Sequence, residues 1–479
     1  MSIKFKHIVA CLGLATSFTL GAITPQEVDD AVQAAKASPK NQSLNHTAAE
    51  VLKAAGRYKE SVPFYLNSGN SGNLGLAEAF FYLYDYDKAE EYLDKYVSKR
   101  TKAEAEKDMD FSFGDGSETI DWTDHLRSRI ELGRSMLDRV EQIQIIDSIN
   151  VPSERFFEFI KLAKSAGSLQ GEEIIEDIVP QDKASELGIT GIWAPAYITE
   201  NEEDIIWYGS SDTGESRMYE STRLSDGTWD TPTLLFDYKS IFGNPNGSWV
   251  SHPYLMSDGV TLYFAADGEA SLGELDIFIS RRDEDGFLQP SNIGMPYNSP
   301  HNDYLYAIDE QTGAGWWATD RNQIEDSVTI YTFIPQDLRI NYPIDTPALT
   351  DFAKISSIAA THKEGADYSA LRKKIADLST VKSTNKKNSF RFALPGGVIY
   401  TDLSDFKNAQ AKELMSQYLT GLKNRQTKLA HLAELRNLYR DGKTSVSDEI
   451  LSLEKNLENE LPEMKRIKNQ IIKLESASN

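Results

Sequence analysis

Aspartate residues are the feature of this sequence that most readily suggests chemistry, because a pair of carboxylates can hydrolyse a glycosidic bond. Four of them lie in one β-rich stretch of the chain: Asp258, Asp267, Asp276 and Asp303. Aspartate also forms turns, especially before glycine, since its carboxylate bonds nearby backbone N–H groups and glycine accepts a positive φ. We favour this structural interpretation, and the sequence therefore predicts no catalytic residue at these positions.

The seven histidines do not form a recognisable ligand set. Five lie in the amino-terminal segment or in helical stretches, at spacings that suit no metal ion: His7, His46, His125, His362 and His431. His252 and His301 precede strands at similar places in two repeats, so a shared site is an alternative to packing. Repeated positions usually serve repeated packing, and we expect a structural role for both.

An acidic segment from Asp108 to Gly116 has the composition of a calcium-binding loop but not its order. An EF-hand loop needs Gly at the sixth position and Glu at the twelfth, where this chain has Phe113 and Thr119. The chain also lacks a Gly-x-Ser-x-Gly elbow, a P-loop and a His-Glu-x-x-His motif. We therefore expect no metal ion, no cofactor and no enzymatic activity.

Tryptophans offer an alternative function, because indole rings can stack on sugar rings. Six lie in the β-rich stretch: Trp193, Trp207, Trp229, Trp249, Trp316 and Trp317. Packing is the favoured role for most of them, although Ser225-Asp226-Gly227-Thr228-Trp229 is similar to the Asp-box of sialidases. Neighbours on one strand point to opposite faces, so one of Trp316 and Trp317 is expected on an exposed face. These two are the candidate residues for contact with a glycan.

The net charge of the chain argues against some classes of partner. The formal net charge is -23, and a nucleic-acid backbone or an anionic lipid surface needs a basic protein surface instead. We therefore expect no nucleic-acid partner. No stretch after the first residues approaches the length of an apolar membrane span, so no transmembrane segment is expected in the mature chain.

The first 22 residues have the pattern of an export signal. Lys4 and Lys6 precede an apolar run that ends near Ala22, a small residue of the kind at which signal peptidase cuts. The single cysteine, Cys11, gives a lipoprotein signal as a less favoured alternative, because most of the apolar run would then remain on the mature protein. We expect an exported protein in the periplasm or at the outer membrane.

Residues 23–140 are predicted to be helical. The segment from Ala55 to Val62 recurs as Tyr84 to Glu91, each a tight turn that leads into a helix with a small inner residue. The repeat of roughly 28 residues is similar to tetratricopeptide helical hairpins, whose period is about 34 residues. Two strand-like segments follow, Gln142 to Ile149 and Glu173 to Val179, with a short helix from Phe156 to Ala163 between them.

From Gly191 to Pro335 short strands and Gly turns repeat about every 50 residues, the pattern of propeller blades. The second repeat resembles the PD40 (WD40-like) propeller repeat common in envelope proteins of Bacteroidota. The matching residues are Pro253, Ser257-Asp258-Gly259, Leu262-Tyr263-Phe264, Gly273, Asp276-Ile277-Phe278, Gly286-Phe287, Pro290 and Asn292-Ile293-Gly294. The resemblance implies a β-propeller over 141–403.

Three repeats do not close a propeller, so flanking strands are expected to supply the rest. Gln142 to Val179 is expected to form one sheet, and a hairpin around Pro395-Gly396 to complete the last blade after a helical insertion near 351–382. If the two ends of this region share one blade, that blade closes the ring. Residues 404–479 carry two apolar stripes around the turn Asp441-Gly442-Lys443, which predicts a helical hairpin or coiled coil.

These features predict a multidomain protein of α and β structure, with an α-helical repeat, a central β-propeller and a C-terminal helical hairpin. The expected function is a non-enzymatic scaffold that binds envelope proteins, as the resemblance to secretion-associated helical-repeat and PD40 proteins implies. A carbohydrate-binding or glycan-processing propeller is the first alternative. A propeller that only spaces the C-terminal hairpin is the second.

Overall fold

The structure is a computed structural model, and its described residues are 25–109, 111–112, 119–179, 184, 187–211, 214–225, 228–243, 247–324, 326–380, 392–394, 398–400, 403–440 and 443–476. The predicted export signal with Cys11, most of the acidic loop, the Asp226-Gly227 pair and the Pro395-Gly396 turn lie outside them. The chain divides into two compact units, the first up to Ser379 and the second from Thr380 onward. None of the described helices is long and apolar enough to cross a membrane.

The first unit begins with a layer of helices in which successive members pack against one another. They are α1 (Pro25–Ala37), α2 (Gln42–Ala54), α3 (Tyr58–Asn67), α4 (Asn73–Tyr82), α5 (Tyr86–Lys99), α6 (Lys102–Asp108) and, after the short strands β1 (Phe111–Ser112) and β2 (Thr119–Ile120), α7 (Trp122–Leu137). Side-chain caps set several starts, as when Asn41 accepts the Leu44 N–H before α2. The predicted helical region is therefore present.

The two repeated sequence segments adopt the same local geometry. Gly56 and Tyr84 both have a left-handed φ, of 70° and 61°, and a helix begins two residues after each. Ser61 and Ala89, the matching small residues, are both fully buried. Each copy is thus a helix, a left-handed turn and a second helix.

Three antiparallel sheets follow the helices. The first runs in the order β4 (Ser168–Gln170), β5 (Ile189–Ile198), β6 (Asp204–Ser211), β7 (Ser216–Thr222) and β8 (Thr233–Asp237), with the helix α8 (Glu172–Ile178) between β4 and β5 in the chain. The predicted strand from Glu173 to Val179 is wrong, because this segment is α8. An apolar run this short does not distinguish a buried strand from a helix.

The second and third sheets are likewise built from successive antiparallel strands. After α9 (Tyr238–Phe242), the second contains β9 (Val250–Leu255), β10 (Thr261–Ala266), β11 (Asp276–Asp283), β12 (Gly286–Phe287) and β13 (Ser291–Asn292). The third contains β14 (Asp303–Asp309), β15 (Ala314–Thr319) and β16 (Ser327–Ile334), and its fourth strand is β3 (Gln144–Pro152) from the other end of the unit. Residues far apart in sequence therefore complete one sheet.

The sheets stack in chain order, because the first strand of each packs on the face of the sheet before it. β9 contacts β5, β6 and β7, and β14 contacts β9, β10 and β11. The helices join this stack through shared apolar packing, in which Leu272 and Met295 cluster with Phe81, Leu126 and Ile130. Helices and sheets of the first unit therefore share one core.

Two expectations about the remaining strands are wrong. Gln142 to Val179 does not form a sheet of its own, since β3 joins the third sheet and β4 joins the first. The hairpin of β17 (Phe392–Leu394) and β18 (Val398–Tyr400) forms a separate two-stranded sheet in the second unit and completes none of the three. The predicted helical insertion corresponds to α10 (Leu349–Lys354) and α11 (Ser369–Thr380).

The second unit is built on the antiparallel helices α12 (Ala409–Arg440) and α13 (Ser447–Ser476), as the apolar stripes predict. Its core contains Phe392 and Tyr400 of the β-hairpin with residues of both helices. The fully buried Glu475 accepts the Tyr400 hydroxyl at 3.0 Å and the backbone N–H groups of Lys407 and Asn408 at 2.6 and 3.1 Å. One carboxylate thus ties the end of α13 to the start of α12.

Candidate functional site

The candidate carboxylates are each bound to backbone N–H groups at the ends of strands. Asp258 accepts the backbone N–H groups of Val260 and Thr261, both at 2.8 Å. Asp267 accepts those of Ser248 and Trp249 at 2.9 and 2.8 Å. These contacts close strand connections, as predicted for aspartates at turns.

Asp276 is more deeply buried than Asp258. It is fully buried and accepts the backbone N–H groups of Leu272 and Gly273 at 2.8 and 2.9 Å and the Asn292 amide at 2.6 Å. Burial raises the pKa of Asp276 to about 6, although these donors oppose the shift. A Cβ on Gly273 would lie 1.9 Å from the His301 carbonyl oxygen, so only glycine fits at this corner.

Asp303 holds the corresponding corner of the third sheet. Its carboxylate accepts the Ser299 N–H at 2.7 Å, the Ser299 hydroxyl at 2.9 Å and Nη2 of the buried Arg321 at 2.8 Å. Arg321 also donates to the Pro296 carbonyl at 2.7 Å. Burial raises the pKa of Asp303, Arg321 opposes this, and the nearby Asp276 adds to it. The two acids lie near each other, but each is committed to its own corner.

The two histidines of the repeats have different surroundings. His252, with φ of 53°, packs against the rings of Phe156, Tyr208 and Tyr304 at 5.6 to 5.7 Å. His301 packs against two rings of the helical layer, Tyr58 and Tyr82. Burial lowers the pKa of both imidazoles to about 3. Both side chains are therefore neutral packing residues at physiological pH, in keeping with the expected structural role.

The prediction that Trp316 or Trp317 lies on an exposed face is wrong. Trp316 is 3% exposed and Trp317 is fully buried. They do point to opposite faces of β15, but Trp316 packs in a cluster with Tyr304, and Trp317 packs against Tyr331 and other rings. The third sheet is covered on both faces, so neither tryptophan is placed to meet a glycan.

Of the other four tryptophans of the β-rich stretch, one is fully buried and three are half-buried. Trp207 is fully buried and stacks on Tyr219 at 4.6 Å. Trp193 and Trp249 are half-buried and lie 6.1 Å apart. Trp229 is half-buried beneath the Arg223 guanidinium, 5.2 Å from its ring centre.

A row of polar atoms without protein partners lies on one face of the first sheet. Ile205 pairs with Ser221, Trp207 with Tyr219 and Gly209 with Arg217 across β6 and β7, so these side chains share a face. We call it the α8 face, because Ile175 and Ile178 of α8 pack there. It carries five of the eleven buried unpartnered side-chain atoms of the described chain, namely Trp207 Nε1, Arg217 Nε, Tyr219 OH, Ser221 Oγ and Arg223 Nε.

The sequence analysis missed this row. Its signal is an alternation in which every second residue from Arg217 to Arg223 is polar and able to donate a hydrogen bond. Such alternation ordinarily marks a solvent-facing side of a strand. Here that side is covered, since Tyr219 and Ser221 are 3% and 2% exposed. Only the tertiary fold distinguishes the two cases.

An exposed apolar surface lies on the connection after β16. Leu338, Ile340 and Ile344 are 78%, 52% and 66% exposed, and we call them the Leu338 surface. The segment is fixed despite this exposure, because Arg339 donates to the carbonyls of Ile293 and Arg139 at 2.6 and 2.8 Å. Backbone bonds from Gln142 to Ile340 and from Tyr342 to Val140 add to this.

Within the described ranges, no group of three or more His, Cys, Asp or Glu side chains is arranged to hold a metal ion. A comparison with protein-family models finds no match for the chain, and neither do comparisons with curated proteins and with solved structures. Function is therefore argued from the geometry of the side chains.

Proposed function

We propose that this chain is an exported, non-enzymatic scaffold that binds other proteins of a bacterial cell envelope. The observation that carries the proposal is the engagement of its candidate catalytic carboxylates. Asp258, Asp276 and Asp303 each accept at least two bonds from residues of the adjoining turn, and Asp267 accepts two from the backbone that leads into β9. A general acid or base must instead reach a substrate proton, and these groups are already bound to the backbone of the fold.

The helical layer is proposed to be of tetratricopeptide type. The support is the twice-used helix, left-handed turn and helix with a buried small residue at Ser61 and Ala89. Ion pairs also join α7 to α5, from Arg127 to Asp94 and from Arg134 to Glu90, both at 2.7 Å. Such layers present broad surfaces to other proteins.

The stacked sheets are proposed to be propeller blades of PD40 type. The support is their order, with each first strand packed on the preceding sheet, and the use of β3 as the outer strand of the third sheet. A strand from the beginning of a propeller that completes its last blade joins the two ends of the domain. The same arrangement fixes the loops on which a partner would dock.

The Leu338 surface is the proposed site of contact with a partner protein. Large apolar side chains that remain exposed on a fixed segment are typical of interaction surfaces. The hydrogen bonds of Arg339 hold Leu338 and Ile340 in place before any partner arrives, which reduces the entropy lost on binding.

The test is crosslinking in envelope extracts of the native host with the full chain as bait. The double variant Leu338→Asp, Ile344→Asp places two charges on the surface, whereas Leu66→Asp places one at a 52% exposed leucine of α3. We expect the same protein partner with the wild type and Leu66→Asp, and at least about tenfold less of it with the double variant. Equal capture by all three chains would contradict the proposed surface, and sugar release from envelope glycans would contradict the absence of catalysis.

A further inference from the structure

The Leu338 surface gathers large exposed apolar side chains within one short connection. Leu338, Ile340 and Ile344 are all more than half exposed. The other large exposed apolar residues of the described chain are well separated from one another in the sequence. Single residues of this kind are normal on a protein surface, whereas a group of them indicates a partner.

Exposed carboxylates stand at both ends of this group. Asp337 precedes Leu338 and Asp345 follows Ile344, and the side chains of both aspartates are exposed. In the described part of the chain, neither carboxylate has an ion-pair partner. The surface therefore combines apolar side chains with two negative charges that the protein itself does not neutralise.

The cation within the same segment does not change this balance. Between Gln336 and Ala348 only Arg339 is basic. Its guanidinium lies 3.6 Å from the mostly buried carboxylate of Glu141 and donates through Nε to Asn341 Oδ1 at 2.9 Å. Its remaining donors bond backbone carbonyls. Arg339 therefore holds the segment in place, and its charge is offset within the protein.

These two features together specify the chemistry of the segment that covers the surface. Apolar side chains of a partner would cover Leu338 and Ile344. A carboxylate that loses water in an interface lowers the affinity unless a cation meets it, so the partner must bring Lys or Arg to Asp337 and Asp345. The net charge of -23 attracts a basic partner over a longer range. A second copy of the chain has the same charge, which opposes self-association.

We propose that the Leu338 surface binds a basic amphipathic segment of a partner protein, in which Lys or Arg side chains flank large apolar ones. This inference rests on the proposed function and adds the chemistry of the partner to it. The apolar contacts supply most of the binding free energy. Asp337 and Asp345 select the partner, because an acidic or neutral apolar segment leaves both carboxylates without a cation.

The test measures binding of the full chain to a fluorescently labelled peptide whose leucines lie on one helical face and whose lysines lie on the other. The same peptide with Glu in place of Lys is the comparison. The double variant Asp337→Asn, Asp345→Asn removes both charges. The double variant Leu338→Ser, Ile344→Ser removes the apolar side chains without adding charge.

The matched control is the double variant Glu200→Gln, Glu284→Gln. It removes the same net charge from exposed turns of the first and second sheets. At about 50 mM salt the lysine peptide should bind this control and the wild type within about twofold of each other. Binding should be about fivefold weaker for the Asn variant and about tenfold weaker for the Ser variant.

Two further readouts separate local charge from general attraction. At about 300 mM salt the difference between the wild type and the Asn variant should shrink, because salt screens exposed charges. The glutamate peptide should bind the wild type at least about tenfold more weakly than the lysine peptide does. Equal binding of the two peptides would overturn the proposed chemistry.

The variants also decide between the proposed chemistry and its alternatives. The proposal is overturned if the Asn variant binds the lysine peptide as tightly as the wild type at low salt, or if the Glu200→Gln, Glu284→Gln control is weakened as much as the Asn variant. Wild-type dimers in sedimentation that disappear in the Ser variant would make the occupant a second copy instead. Crosslinking in envelope extracts that is insensitive to Leu338→Asp, Ile344→Asp would contradict the proposed function, whatever the peptides show.

Discussion

Buried polar groups have hydrogen-bond partners at the corners of the second and third sheets, around Asp276 and Asp303. On the α8 face of the first sheet, several of them have none. At the corners, Asp276 and Asp303 each accept three bonds from neighbours in the fold. On the α8 face, Ser221 is 2% exposed and its hydroxyl has no protein partner, and the buried Tyr219 hydroxyl has no partner at ordinary hydrogen-bond geometry. Residues that look like catalysts are therefore bound within the fold, whereas a strand of ordinary appearance carries the buried polar atoms without partners.

Whether a buried polar group has a hydrogen-bond partner therefore distinguishes the two regions better than the chemical type of the group does. A buried polar group without a partner lowers stability by about 1–3 kcal/mol. A fold that retains several of them on one face is weaker there than it needs to be. Removing polar atoms should accordingly harm the corners and spare the α8 face.

The largest effect is expected at the corner of the third sheet. Asp303→Asn removes the charge that pairs with the buried Arg321 and turns an amide N–H group toward other donors. We expect the free energy of unfolding to fall by about 3–5 kcal/mol, measured by urea denaturation at pH 8. Glu284→Gln, at an exposed position, is the control and should change little. A loss of stability at Asp303 no larger than that of the control would show that the Asp303 carboxylate does not stabilise this corner.

A pH-dependent effect comes from His301, which packs beside Asp303 and the helical layer. Its folded-state pKa of about 3 lies below the ordinary value of 6.5, because burial and the nearby Arg321 and Arg129 disfavour the charged form. The stability it contributes is complete above pH 6.5 and is lost as the pH falls from 6.5 toward 3. Relative to His301→Phe, the wild type should lose about 2 kcal/mol between pH 7.5 and pH 5.

This measurement compares two chains at each pH, so contributions common to both cancel. Among these is the opposite effect of Asp276 and Asp267, whose pKa values are both raised to about 6 and which gain protons in the folded state first. Parallel stability curves for the wild type and His301→Phe would show that the imidazole is not held neutral by the packing against Tyr58 and Tyr82.

An exposed corner should show a smaller effect of the same sign. The pKa of Asp258 is lowered despite partial burial, because the backbone N–H groups of Thr261 and Val260 bond its carboxylate. Asp258→Asn should lower the free energy of unfolding by about 1 kcal/mol at pH 7. The same difference should shrink below pH 4, where the wild-type carboxylate also loses its charge, and thermal melts across this range would detect it.

The smallest effect is expected to change sign between the two faces of the first sheet. Tyr208→Phe removes a hydroxyl with a partner and should lower the free energy of unfolding by about 1 kcal/mol, whereas Tyr219→Phe should leave it unchanged or raise it by a few tenths. Urea midpoints of the ligand-free protein measure both. If Tyr219→Phe is as harmful as Tyr208→Phe, the Tyr219 hydroxyl is satisfied in the folded protein, with the neighbouring Arg217 as its partner.

Local features were predictable from the sequence wherever neighbours in the chain decide them. Asp258 bonds residues two and three positions ahead, and the turns at Gly56 and Tyr84 repeat because the segments around them repeat. The stripes of α12 and α13 likewise predict their pairing, since apolar residues on one helix face require cover. The prediction of a strand in the α8 segment was wrong because its few apolar residues fit either a strand or a helix.

The candidate site depended on contacts that the sequence does not contain. Adjacent tryptophans must face opposite ways on a strand, but whether both faces are covered is decided by β14, β3 and the neighbouring sheets, and here Trp316 and Trp317 are both buried. The alternation from Arg217 to Arg223 determined which residues share a face. That this face is closed over them, with no acceptor opposite, was decided only by the tertiary structure, because burial depends on residues brought from elsewhere in the chain.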